Sequence, residues 1–278
     1  WFGFSEADCP AHHLDAVPSD TVRDEVAKGD RPLSPRLRAN AEAIRHVTNA
    51  GDKVPCGMTI GPFSLATKML ASPIEPAYLV GMGMDADDEE EVALLLRALE
   101  LASLVIERSL AAQIEAGAKV VFIAEPAANL AYISPNQMES GSDVFRRLVT
   151  EPNRKVAEQL DRAGVLRIFH CCGEIDERIL AEFTGLLPHV LSLGSSRDLP
   201  TDAALVPEDI VLYGNLPSKS FYSDELIRLE EVRDRVRELD DRMMRTGHPY
   251  LLGTECDVLS VPGCEATLMA KVMALVER

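Results

Sequence analysis

The sequence predicts an α/β protein of (β/α)8 TIM-barrel type. Three observations carry this. Short runs rich in Val, Ile and Phe alternate with longer segments of helical period, no phosphate-binding loop follows any of the short runs, and the residues able to do chemistry gather at their C-terminal ends.

The short runs give strand candidates at 54–60, 119–123, 165–170, 190–193, 210–213 and 250–252. Helix candidates lie at 35–50, 87–116, 144–163, 175–187, 226–246 and 262–277. A strand that returns parallel to its predecessor needs a crossover helix, so this alternation implies a parallel sheet covered by helices. A closed barrel and an open doubly wound sheet both satisfy it. The absence of a G-x-G-x-x-G or Walker loop after any strand candidate removes the usual support for the open sheet and favours the barrel. The longest helix opens on the acidic run 85–91, which suits the positive end of a helix dipole, and stops at Gly117. A closed barrel of this type needs eight strands. One or two are therefore expected in the weakly patterned residues 1–50 or upstream of Trp1, a first residue other than methionine that fits a processed, trimmed or renumbered chain. No composition shift divides the chain, and it is read as one domain over 1–278.

Composition narrows the function. A chain of 278 residues, 46% hydrophobic and 26% charged, buries a substantial core. Its formal net charge of −17 argues against a nucleic-acid surface, which needs a clustered basic face. No apolar run is long enough to span a bilayer, and the start lacks the pattern of a signal peptide, so a cytoplasmic protein is expected. Its six cysteines are scattered without small-scaffold spacing, which favours reduced thiols over disulfides.

The strongest chemical feature is His170-Cys171-Cys172-Gly173, at the end of a strand candidate. Side chains alternate along a strand, so His170 and Cys172 face one side and Cys171 the other. An imidazole nitrogen and a thiolate suit zinc, and Gly173 lets the backbone turn beside it. Cys256 also follows a strand candidate, and the C-terminal ends of barrel strands meet around one mouth. His170, Cys172 and Cys256 thus make a three-ligand set with one open position, the pattern of a catalytic zinc. A blander reading stands beside it, since buried cysteines commonly serve as small apolar filler. His12, His13, His46, His189 and His248 have no ligand-like spacing and are read as surface or turn residues.

His170-Cys171-Cys172-Gly173, Gly214-Asn215-Leu216-Pro217, and Glu255-Cys256-Asp257-Val258 with Pro262 resemble, in order, signatures of the uroporphyrinogen decarboxylase superfamily in its corrinoid-dependent methyltransferase branch. Gly61-Pro62-Phe63-Ser64-Leu65-Ala66 resembles the superfamily's G-P-F-x-L-A motif, and Ala124-Glu125-Pro126-Ala127-Ala128 its acidic-proline segment. The matches run over 54–278. The decarboxylase R-Q-A-G-R segment and late glycine-histidine pair do not occur, and Cys256 stands where that histidine would be.

The resemblance implies a (β/α)8 barrel carrying Zn2+ and moving a methyl group between a small substrate, a thiol or a methyl ether, and a methylcobamide (cobalamin). With no D-x-H-x-x-G corrinoid motif in the chain, the corrinoid is expected on a partner protein or in solution. Glu125 is a candidate reserve ligand or proton acceptor, with a helix-start role as its alternative, and Asn129 could line the same mouth. Asn215 could hydrogen-bond substrate or simply form a turn. Asp257 could orient a metal ligand or be an exposed loop carboxylate. Uroporphyrinogen decarboxylation and a non-catalytic ligand-binding barrel are the competing readings.

Overall fold

The computed structural model describes residues 13–259 and 261–277. The chain packs as two compact units that divide between Arg167 and Ile168.

The first unit opens with helices Asp20–Lys28 and Pro35–Ala50. Ser19 and Ser34 cap their N-termini through their side chains, and Gly29 and Gly51 close them in the left-handed conformation. One or two further strands were expected in 1–50 or upstream of Trp1, and of that stretch residues 1–12 lie outside the described residues. Among the described residues, 13–50 hold these two helices and no strand, because strong caps bracket both segments and most of their residues are exposed. Strand β1 (Cys56–Ile60) pairs in parallel with β2 (Val120–Ala124), in register from Cys56 opposite Val120 to Ile60 opposite Ala124. Between them run helices Pro62–Thr67, Ile74–Gly81 and Glu90–Glu115. The last is the long helix, with Glu90 and Glu91 in its first turn and Gly117 just beyond its end at φ +100°. Phe63, Leu95, Leu110 and Val121 are fully buried in this unit. Beyond β2, a π turn at Arg146–Thr150 leads into helix Glu151–Arg162.

Strand β3 (Leu166–Cys171) leads into the second unit, where β4 (Val190–Leu193), β5 (Val211–Leu216) and β6 (Tyr250–Thr254) follow. Each pairs in parallel with the strand before it. His170 lies opposite Ser192, Ser192 opposite Tyr213, and Asn215 opposite Gly253. Helices Glu177–Thr184, Leu199–Asp202, Leu229–Thr246 and Glu265–Val276 complete the βα alternation. One apolar cluster, including Leu216, Phe221, Val232, Val236 and Leu268, joins the last two helices to β5. Phe169 packs on Phe183 with ring centroids 4.9 Å apart beneath the end of β3. The α/β fold of (β/α)-barrel type is thus the one expected, with all six anticipated strands in place.

Candidate metal centre

Strand β3 carries His170 at its buried end, and the chain leaves the sheet one residue before Cys172. Cys256 follows β6 by two residues. The potential ligand atoms of His170, Cys172 and Cys256 all lie within 4.8 Å of one another, and among the described residues no other trio of His, Cys, Asp or Glu does so. Cys171 is fully buried and outside this group, as strand alternation requires. A Cys171→Ala variant is therefore expected to keep the same metal content per chain as the unsubstituted protein. Loss of metal from that variant in its folded state would mean that the ligand geometry differs.

Two serines that sequence reasoning passed over support this arrangement. Ser192, fully buried in β4, places its Oγ 2.9 Å from His170 Nδ1. Its signal was legible as a lone hydroxyl in the apolar run Val190-Leu191-Ser192-Leu193. Ser218, also fully buried, lies 3.0 Å from the carbonyl oxygens of both Cys256 and Asp257. Thr254 Oγ1 donates to the Cys256 carbonyl as well, at 2.8 Å. The backbone that carries Cys256 is thus held from two sides.

Burial sets the protonation of the site. It holds the His170 imidazole down to about 4, with Lys219 acting the same way and the Asp257 carboxylate opposing. His170 is therefore neutral near pH 7 and needs to lose no proton to bind a metal. Burial, together with a hydrogen bond to Cys256, pushes the Cys172 thiol up to about 11, against the pull of Lys219. A cation between these groups reverses that balance by favouring thiolates.

The other candidates fall as follows. Asn215, at the end of β5, donates both amide hydrogens to backbone, at 2.9 Å to Gly194 O and 2.7 Å to Arg197 O. Asp257 is an exposed loop carboxylate whose charge reaches His170. Asn129 ties its own loop together, donating to Pro126 O and accepting from Ala131 N. Glu125, fully buried, accepts from the Ser64 amide at 2.5 Å and from Asn153 Nδ2 at 2.8 Å, and burial raises its pKa. It serves the N-terminus of helix Pro62–Thr67, where Gly61 provides no side-chain cap. Ser64 Oγ returns the contact by accepting from Ala127 N at 2.9 Å. His13, His46 and His189 are exposed, and His12 lies outside the described residues. His248, read as a surface or turn residue, lies in the turn between helix Leu229–Thr246 and β6. It is buried, with Nε2–H donating to Ile210 O at 2.9 Å, because the chain tucks inward between the end of helix Leu229–Thr246 and β6.

The clasp around Glu125 leaves no room at Gly61, where an added Cβ would lie 1.8 Å from Glu125 Oε2. Gly61→Ala is expected to lower unfolding free energy by about 3 kcal/mol, since a buried carboxylate would have to abandon its donors. A denaturant midpoint equal to that of the unsubstituted protein would contradict this.

The family model for uroporphyrinogen decarboxylase (URO-D) matches residues 3–278. The chain belongs to that family. No curated protein matches it. The solved structures that share the fold of this URO-D family chain include the following two. A methyltransferase from Methanosarcina mazei superposes with a TM-score of 0.63 and 21% identity, over 94% of this chain and 67% of that one. A B12-independent methionine synthase from Shewanella sp. W3-18-1, in complex with selenomethionine, superposes with a TM-score of 0.51 and 13% identity, over 89% of this chain and 67% of that one.

Proposed function

We propose that this URO-D family member is a zinc-dependent methyltransferase that moves a methyl group between a small thiol or methyl ether and a corrinoid carried by a partner protein. The observation that carries this reading is the convergence of one imidazole and two thiols, with ligand atoms within 4.8 Å of one another. This donor set fits zinc held by three protein ligands with a fourth position for substrate. The fold shared with a methyltransferase and a methionine synthase supports the reaction class.

In this proposal His170 ligates as a neutral imidazole. With Nδ1 held at Ser192, Nε2 is the nitrogen presented. Cys172 and Cys256 ligate as thiolates, so their two negative charges balance the dication. Zinc bound there would hold a substrate thiol as its nucleophilic thiolate, or draw on the oxygen of a methyl ether. Asn215, its amide hydrogens committed to backbone, offers substrate its carbonyl oxygen. Glu125 acts as a positioning residue through helix Pro62–Thr67. One family match runs through both units, which supports a single domain over 1–278. Among the described residues no helix is long and apolar enough to cross a membrane. The thiols at the centre suit a reducing compartment, and we place the enzyme in the cytoplasm.

The corrinoid itself provides the test. Methylcobalamin changes its visible spectrum on demethylation, so zinc-loaded protein mixed with a panel of small thiols should produce that change. In the opposite direction, methyl ethers with reduced corrinoid should report methylation. Decarboxylation of uroporphyrinogen by metal-free protein, with no spectral change on any corrinoid, would assign the decarboxylase activity instead.

A further inference from the structure

We infer that the four residues ending β4 and starting its turn, Ser192-Leu193-Gly194-Ser195, form a platform that sets the positions of all three candidate ligands while contributing none. The inference rests on the metal reading above. Each ligand-bearing segment touches a different residue of this platform.

Ser192 Oγ meets His170 Nδ1 at 2.9 Å, between residues in direct register on β3 and β4. A neutral histidine that ligates through Nε2 carries its proton on Nδ1, and the hydroxyl oxygen accepts it, fixing tautomer and ring orientation together. Gly194 lies against the backbone of Cys172. A Cβ there would sit 2.8 Å from Cys172 O and 3.0 Å from its Cα, so only a glycine lets Cys172 approach this closely. Gly194 N also donates to Cys171 O at 3.1 Å, which ties the end of β3 to the platform. Ser195 donates through both its Oγ and its amide, the latter at 3.3 Å, to Glu255 Oε2. Glu255 is buried and directly precedes Cys256, and its own amide donates to Leu216 O at 2.7 Å. The third ligand is thus indexed to the same turn. Asn215 steadies the platform from β5 through its bonds to Gly194 O and Arg197 O.

Ser192, Gly194 and Ser195 are accordingly positioning residues. Their substitution should alter the metal environment rather than merely loosen the fold. Full-length protein carrying Ser192→Ala, Gly194→Ala or Ser195→Ala is loaded with Co(II), and its visible d–d bands are compared with those of the unsubstituted protein. Zinc affinity is measured by competition with a chromophoric chelator. Each variant should shift the bands and weaken zinc binding by about 10- to 100-fold, the size expected for lost partners of metal ligands. Ser192→Thr, which keeps the hydroxyl, should recover most of the loss. Ser109→Ala, a buried serine of the first unit, should leave both readouts unchanged. If Gly194→Ala does not fold, the two serine truncations decide the matter. Unsubstituted protein that binds zinc, with Ser192→Ala and Ser195→Ala giving the same bands and affinity, would overturn the platform alone. Unsubstituted protein that takes up neither zinc nor Co(II) would overturn the metal reading and the platform with it. Methyl transfer enters neither readout, so a wrong reaction assignment would leave this result intact.

Discussion

Replacing His170 by alanine, or Cys172 or Cys256 by serine, should strip the protein of most of its zinc and lower methyl transfer to or from corrinoid by more than about 100-fold. Partners that only orient a metal ligand are worth about 10- to 100-fold in affinity or activity, and a direct ligand is worth more. The three side chains make one convergent group, so removing any member leaves two donors, too few to hold zinc for catalysis. The losses should therefore be similar and strongly non-additive, with a double variant little worse than either single one. Metal content and spectral turnover would be measured on the same preparations. A single variant that kept both would remove that residue from the centre.

Zinc affinity should rise steeply with pH. His170 is neutral above about 4 and releases nothing on binding. Cys172 is held protonated by burial and must give up its proton to ligate as a thiolate. The sign follows from mass action. Metal-free protein carries more protons than the zinc form, so raising the pH drives zinc on. Between about pH 5 and 8 the association constant should gain at least about 10-fold per pH unit, the signature of the proton released from Cys172. Below about 4, His170 adds a further proton and the slope steepens. Chelator competition across buffers, with proton release followed by calorimetry in buffers of different ionisation enthalpy, measures both. A flat profile would mean that thiolates are not the ligands.

Much of this was legible in residue order. The βα alternation was written in apolar runs such as Val190-Leu191-Ser192-Leu193, and alternate spacing from His170 separated Cys172 from its neighbour Cys171, although β3 itself ends at Cys171. The boundaries that slipped did so where packing, not propensity, ends an element. Strand β5 runs on to Leu216 through Gly214 and Asn215, two poor strand formers that are held by parallel pairing to β6. The helix at 35–50 was legible, but the weak pattern before it hid the capped helix Asp20–Lys28. The long-range contacts that hold these segments in place were not legible. Glu255 finds Ser195 across 60 positions, and Glu125 finds the Ser64 amide across 61, distances over which sequence spacing carries no signal. The burial of His248 in its turn was hidden for a related reason. Its burial comes from the route of the chain between a helix and a strand, not from its neighbours in sequence.

The metal centre itself is tested most directly by elemental analysis of protein purified without added metal. About one zinc per chain is expected, because the two thiols and the neutral imidazole of Cys172, Cys256 and His170 already stand within 4.8 Å of one another and have only to exchange protons for the ion. Folded protein that contained no stoichiometric zinc, and took none up at neutral pH, would contradict it.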